Sequence, residues 1–123
     1  MVYADTNFFI GLMNESDEHH SAALRLKKSH GSELETSVIT IAELLSGCED
    51  RGSDPENTIS PIFDIAKVSG ITLEEAMKAA NYMKMKKLES IDAIHAALAG
   101  TEIISFDKDF DKAGIKRISD EKN

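Results

Sequence analysis

The residues in this sequence best suited to chemistry are five carboxylates: Asp5, Glu43, Asp92, Asp107 and Asp109. Three of them lie in one stretch, Ile91–Phe110 (IDAIHAALAGTEIISFDKDF), which reads as helix, glycine stop, short strand and acidic turn. Ser90 is placed to cap that helix, so Asp92 falls in its first turn, while Asp107, Asp109 and Asp111 follow the β-branched run Glu102–Phe106. Packing the helix on the sheet would bring carboxylates from separate places to one edge. Each sits in apolar sequence, where an unpaired charge is costly to bury and a cation relieves the cost. Oxygen donors without a Cys or His cluster select Mg²⁺ or Mn²⁺ over Zn²⁺. Such a site suits phosphodiester hydrolysis, in which a metal helps ionise the attacking water and neutralises charge on the phosphate and leaving oxygen. No protein nucleophile stands out, since Cys48 has no evident histidine partner and Ser105 no visible triad. His95, one turn past Asp92, reads as a packed or surface residue and stays outside the candidate set.

The elements that must position these acids alternate along the chain. Val2–Ala4 is a short strand, central and buried by its brevity, and Thr6–Met13 a buried helix, with Asp5 at the junction. Asn14–His20 is a polar loop, and Ser21–His30 a helix with Ala22, Leu24 and Leu26 inward. A strand at Glu35–Val38 precedes a helix at Ile39–Glu49, in which Thr40 and Glu43 match a capping box. Asp50–Thr58 reads as a surface loop, and Pro61 as first-turn residue of a helix reaching about Lys67. Ile71–Leu88 holds the clearest amphipathic helix, with a Thr72–Glu75 capping box and one face of Leu73, Ala76, Met77, Ala80 and Met83. Its last turns carry Lys84, Lys86 and Lys87, either solvated partners of the helix dipole or a phosphate grip beside the acids. Ile115–Ile118 adds a last strand, and Ser119–Asn123 a frayed tail. The alternation predicts one domain over residues 1–123, a three-layer α/β/α sandwich with a mainly parallel sheet, whose sites belong at the carboxyl ends of its strands.

Composition narrows the function classes. A formal net charge of −8 disfavours gripping nucleic acid by a general basic surface, yet carboxylates around divalent cations form a locally phosphate-attracting centre. A compact basic partner also suits this charge. No apolar run approaches the roughly 18 residues that span a bilayer, and no signal-type leader is evident. With a single cysteine, this points to a cytoplasmic protein that does not engage a membrane.

Four segments carry a family resemblance: YADTNFFI at 3–10, SVITIAELL at 37–45, SIDAIHAAL at 90–98 and ISFDKDF at 104–110. They resemble the four acidic motifs of PIN-domain ribonucleases and are especially similar to VapC-type toxins of prokaryotic toxin–antitoxin pairs. The likeness runs through almost the whole chain in the expected order. It implies a PIN fold and a Mg²⁺- or Mn²⁺-dependent endoribonuclease with Asp5, Glu43, Asp92 and Asp107 as the acidic quartet. Asp109 would be an auxiliary or substitute ligand, and Thr6 and Ser105 the supporting hydroxyls. It also implies an RNA substrate, a homodimer, and a small antitoxin that inserts a segment into the acidic groove. The competing readings are a PIN fold that binds without cutting, a housekeeping RNA-processing nuclease, a receiver-like phospho-switch, and a fold in which every acid is only a helix cap.

Overall fold

The computed structural model describes residues 1–120. Five strands, β1 (Val2–Ala4), β2 (Leu34–Ser37), β3 (Lys67–Ser69), β4 (Glu102–Ile104) and β5 (Lys116–Ile118), form one parallel sheet in the order β3-β2-β1-β4-β5. The chain starts in the middle with β1, builds outward to β3, then returns to β1's other edge. The order therefore reverses between β1 and β4, and the crevice beyond their carboxyl ends is where an open α/β sheet binds ligands.

The helices form two layers, and strand alternation decides which residue faces which. On one side Val2, Ala4 and Ile104 pack with α1 (Thr6–Met13), α2 (His20–His30), α3 (Val38–Arg51) and α4 (Pro55–Ile65), through Phe8, Phe9, Leu26, Leu44 and Ile62. On the other, Tyr3 and Ile103 pack with α5 (Leu73–Lys86), α6 (Ser90–Ala99) and a 3₁₀ turn at Lys108–Ala113, through Ala79, Ala93, Ala96 and Phe110. The expected three-layer sandwich is present, with β1 at its centre and a fully parallel sheet.

Several local expectations change. On α2 the inward residues are Ala23 and Leu26, while Leu24 is exposed, because the helix packs through an i, i+3 pair. Asp50–Thr58 is mostly helical: α3 runs on to Arg51, and Asp54 caps α4 by accepting from the Asn57 N–H, with Pro55 at the first position. Pro61 thus lies inside α4, on its exposed side, where water can satisfy the carbonyl left without a helical partner. The edge strand β3 carried no sequence signal, since its Lys-Val-Ser run is short and its outer residues are exposed. β4 ends at Ile104 rather than Phe106 because Ser105 turns toward Asp5.

The Thr72–Glu75 capping box forms. The face expected to pack on α5 does not: Leu73 is 79% and Met77 63% exposed, and α5 meets α6 through Ala79 and Tyr82 instead. Ser119 and Asp120 are half-buried rather than frayed, with the Asp120 carboxylate accepting two hydrogen bonds from Arg25. The remainder of the expected tail, residues 121–123, lies outside the described residues. No helix among the described residues is long and apolar enough to cross a membrane.

Candidate active site at the carboxyl edge

Asp5 leaves β1 and caps α1, its Oδ1 accepting from the Phe8 N–H at 3.1 Å. Its Oδ2 accepts from the Ser105 hydroxyl at 2.6 Å, and Ser105 Oγ in turn accepts the Asp107 N–H at 3.0 Å. One hydroxyl from the end of β4 thereby ties the acid after β1 to the acid after β4. Asp5 is only 3% exposed, and burial pushes its carboxyl up to about 6 despite the hydrogen bond from Ser105.

Asp92 projects from the first turn of α6, half-buried. A carboxylate oxygen from each of Asp92, Asp107 and Asp109 lies within 4.8 Å of the other two. Burial first, then the charge of Asp107, raises the Asp92 carboxyl. Asp107 caps the 3₁₀ turn by accepting the Asp109 N–H at 2.9 Å, which presents both side chains together. Asp111 turns away to pair with Arg117.

Glu43 reaches the edge by a route its sequence position did not suggest. Ser37, not Thr40, caps α3 by accepting the Ile39 N–H, so Glu43 lies beyond the first turn and the Thr40–Glu43 capping box is absent. Thr40 instead accepts a hydrogen bond from the Thr36 hydroxyl and meets Thr6 Oγ1 at 3.3 Å. Glu43 Oε1 accepts from the Thr6 hydroxyl at 2.5 Å and from His95 Nε2 at 2.7 Å. Burial raises the Glu43 carboxyl, but the hydrogen bonds from His95 and Thr6 outweigh it and hold the group below its ordinary value.

His95, left out of the sequence-based set, is the residue that reading missed. It is 2% exposed, with Nδ1 2.7 Å from the Tyr3 hydroxyl, which lies 2.8 Å from Ser37 Oγ. An ionised Glu43 can only accept, so Nε2 carries a proton. In the neutral ring Nδ1 then accepts from Tyr3, and Tyr3 accepts from Ser37. Burial keeps the Tyr3 phenol well above its ordinary range, a neutral donor throughout. A histidine among the alanines of a buried helix face needs such partners. That was the available signal, although sequence alone did not name Tyr3. Tyr3→Phe should leave Nδ1 buried and unpaired, costing about 1–3 kcal/mol. A lowered urea midpoint at unchanged slope would show it, whereas an unmoved midpoint would mean the chain of hydrogen bonds contributes nothing to stability.

Ser90 is the first residue of α6 rather than its cap, and Glu89 precedes it without a side-chain capping bond. Lys84, Lys86 and Lys87 are exposed at the end of α5 and make no hydrogen bond or ion pair among the described residues. Lys87 adopts the left-handed conformation that stops the helix.

The PIN domain family model matches residues 2–116. The chain belongs to the PIN-domain family. Comparison with functionally curated proteins gives no match. Among solved structures, VapC20 of Mycobacterium tuberculosis, a sarcin-ricin loop cleaving toxin, shares 22% identity over 94% of this chain and 96% of its own, with a TM-score of 0.81. A toxin–antitoxin complex from Klebsiella pneumoniae gives 24% identity, 97% coverage of both chains and a TM-score of 0.76. VapBC-1 of nontypeable Haemophilus influenzae gives 24% identity, 97% and 98% coverage and a TM-score of 0.67. These likenesses establish the fold. In this PIN domain the carboxylates stand at the reversal of strand order between β1 and β4. All-oxygen donors, with the Asp92 carboxyl raised by burial and by the charge of Asp107, fit a hard divalent cation.

Proposed function

We propose that this PIN domain is a Mg²⁺- or Mn²⁺-dependent endoribonuclease, the toxin of a toxin–antitoxin pair acting in the cytoplasm. The observation that supports the reading most is the convergence of Asp92, Asp107 and Asp109 within 4.8 Å at the carboxyl edge of the sheet. In this proposal Asp5, Glu43, Asp92 and Asp107 are the acidic quartet and Asp109 an auxiliary ligand. Bound there, the cation would supply a Lewis acid for the phosphate oxygens and lower the pKa of water.

The chain's own residues do the positioning. Ser105 holds Asp5 and Asp107 in register, so the ends of β1 and β4 act as one rigid support. Thr6 and His95 fix Glu43 by two bonds to Oε1, leaving Oε2 unbonded among the described residues and directed by a locked side chain. Glu43 stays ionised because both bonds favour its charged form. Lys84, Lys86 and Lys87, just ahead of the helix that carries Asp92, are assigned as phosphate contacts.

The acidic edge and the net charge of −8 support an antitoxin with an arginine-bearing segment as the inhibitory partner. The exposed Leu73, Met77 and Met85 of α5 support a homodimer, since a solvated apolar helix face calls for a cover.

Purified, partner-free protein should cut a structured RNA with Mn²⁺ or Mg²⁺ and stop in EDTA. Folded protein that cuts nothing with either metal overturns the nuclease reading. Titration calorimetry would then separate an intact metal site in a binding module from a vestigial one.

A further inference from the structure

His19, which precedes α2, and Phe106, in the turn after β4, stack face to face with ring centroids 4.3 Å apart and planes 7° from parallel. Phe106 is flanked in sequence by Ser105, which holds Asp5, and by Asp107, so the stack borders the carboxylate edge directly. Behind, Phe106 packs against the core, whereas the His19 side chain is 42% exposed. His19 is thus a partly exposed ring backed by Phe106, with the Glu18 carboxylate 3.6 Å from its Nε2.

The two rings separate two spaces. On one side is a cavity of about 260 Å³ that also reaches Asn7 and Asp107. On the other is an open recess of about 400 Å³ with Lys108, Arg117, Ser119 and Asp120 on its walls, the Asp120 carboxylate being taken by Arg25. That size lies in the range of about 300–1,000 Å³ typical of ligand pockets. Arg117 is held by Asp111 and the Ser105 carbonyl, and Lys112 pairs with Asp109. Lys108, exposed between Asp107 and Asp109 in sequence, has no hydrogen bond or ion pair among the described residues. Its ammonium is therefore available, although acids surround it. An aromatic platform beside a free cation is how proteins hold single-stranded nucleic acid: bases stack on the ring while the charge follows the phosphates.

We propose that this recess is an RNA subsite flanking the scissile phosphate, in which a base packs against the solvent-facing side of the His19–Phe106 stack and its phosphate lies against Lys108. The subsite rests on the endoribonuclease reading above. Neither residue belongs to the carboxylate cluster, and the two make different contributions, so each is tested by its own signature.

The test uses single-turnover cleavage of oligoribonucleotides spanning a mapped cut, each with one abasic residue near it. In the wild type, one abasic position should lower kcat/KM by about 5–100-fold, the value of one stacked base. His19→Leu should lose the same factor on intact RNA and become blind to that abasic position, and His19→Tyr should restore both. Lys108→Ala should flatten the log–log salt dependence of kcat/KM by about 0.7, one phosphate contact to a single strand. Lys108 is exposed, whereas His19 packs on Phe106, so the melting temperature of each variant is measured beside cleavage, and His19→Tyr, which keeps a ring there, carries the test if His19→Leu is unstable. A His19→Leu protein with the wild-type abasic profile, or a Lys108→Ala protein with the wild-type salt slope, overturns the subsite while leaving the nuclease standing. Wild-type protein that cuts no RNA overturns the nuclease reading itself, and the subsite with it.

Discussion

Asp92→Asn is expected to abolish metal-dependent RNA cutting while the domain stays folded. The substitution keeps the shape of the side chain and removes its charge from the centre of the cluster, where Asp107 and Asp109 lie within 4.8 Å. Losing one anionic ligand removes several kcal/mol of charge stabilisation at the reacting phosphate, so cutting should fall by about three orders of magnitude. Stability should not follow. Asp92 is half-buried and its carboxyl is raised by burial and by Asp107, so without metal its charge opposes the fold. The paired measurement is cleavage rate and melting temperature, each with Mn²⁺ and with EDTA. Wild-type protein should melt higher with metal, because a ligand that binds only the native state stabilises it by mass action. The variant should have an ordinary melt in EDTA and lose most of that increment. Folded Asp92→Asn protein cutting at the wild-type rate would remove Asp92 from the site, and with it the assignment of the α6 first turn to the active edge.

What sequence could show about this site follows from how local each constraint is. Asp5 and Asp107 directly follow short apolar runs, and Asp92 sits in the first turn of an alanine-rich helix with a glycine stop, so their placement needs only strand, turn and helix signals. The parallel sandwich follows from the alternation of those elements. Glu43 was legible as an acid but not by its route. A capping box at Thr40 is a local pattern, and it lost to Ser37 because Thr40 was required by Thr36 and Thr6, contacts that exist only once the chain is folded. His95 was legible only as a histidine in need of partners, and for the same reason its role was not, since Tyr3 and Glu43 are 92 and 52 residues away. The apolar face of α5 shows the converse. Its periodicity was real, but periodicity reports that a face wants cover, not what covers it, and within this chain α6 takes the Ala79–Tyr82 side instead.

The hydrogen bonds from Ser105 and Phe8 do not fully offset the burial of Asp5, so the metal-free fold should carry its cost in a pH-dependent form. The carboxyl is raised from 3.8 to about 6 in the folded protein. A folded-state pKa above the unfolded one means that the native state holds the proton longer. The stability this provides is fully present below 3.8 and is lost as pH rises through about 6. At pH 7 the ionised, buried group then costs about 3 kcal/mol relative to its protonated form. Asp5→Asn removes that cost and keeps the acceptor for the Phe8 N–H. It gives back part of the gain, because the amide now donates to Ser105, whose hydroxyl proton must find another acceptor. The net expectation in EDTA at pH 7.5 is a variant more stable than wild type by about 1–2 kcal/mol. Comparing urea midpoints at pH 5 and pH 7.5 reads the effect of the Asp5 charge together with its coupling to His95 and Asp107. The advantage of the variant should shrink toward pH 5. Added Mn²⁺ should reverse the order, stabilising wild type and leaving Asp5→Asn nearly unmoved. A variant no more stable than wild type at pH 7.5 would mean that the buried carboxylate is fully satisfied by Ser105 and Phe8. Asp5 would then be a structural cap with no need of a cation.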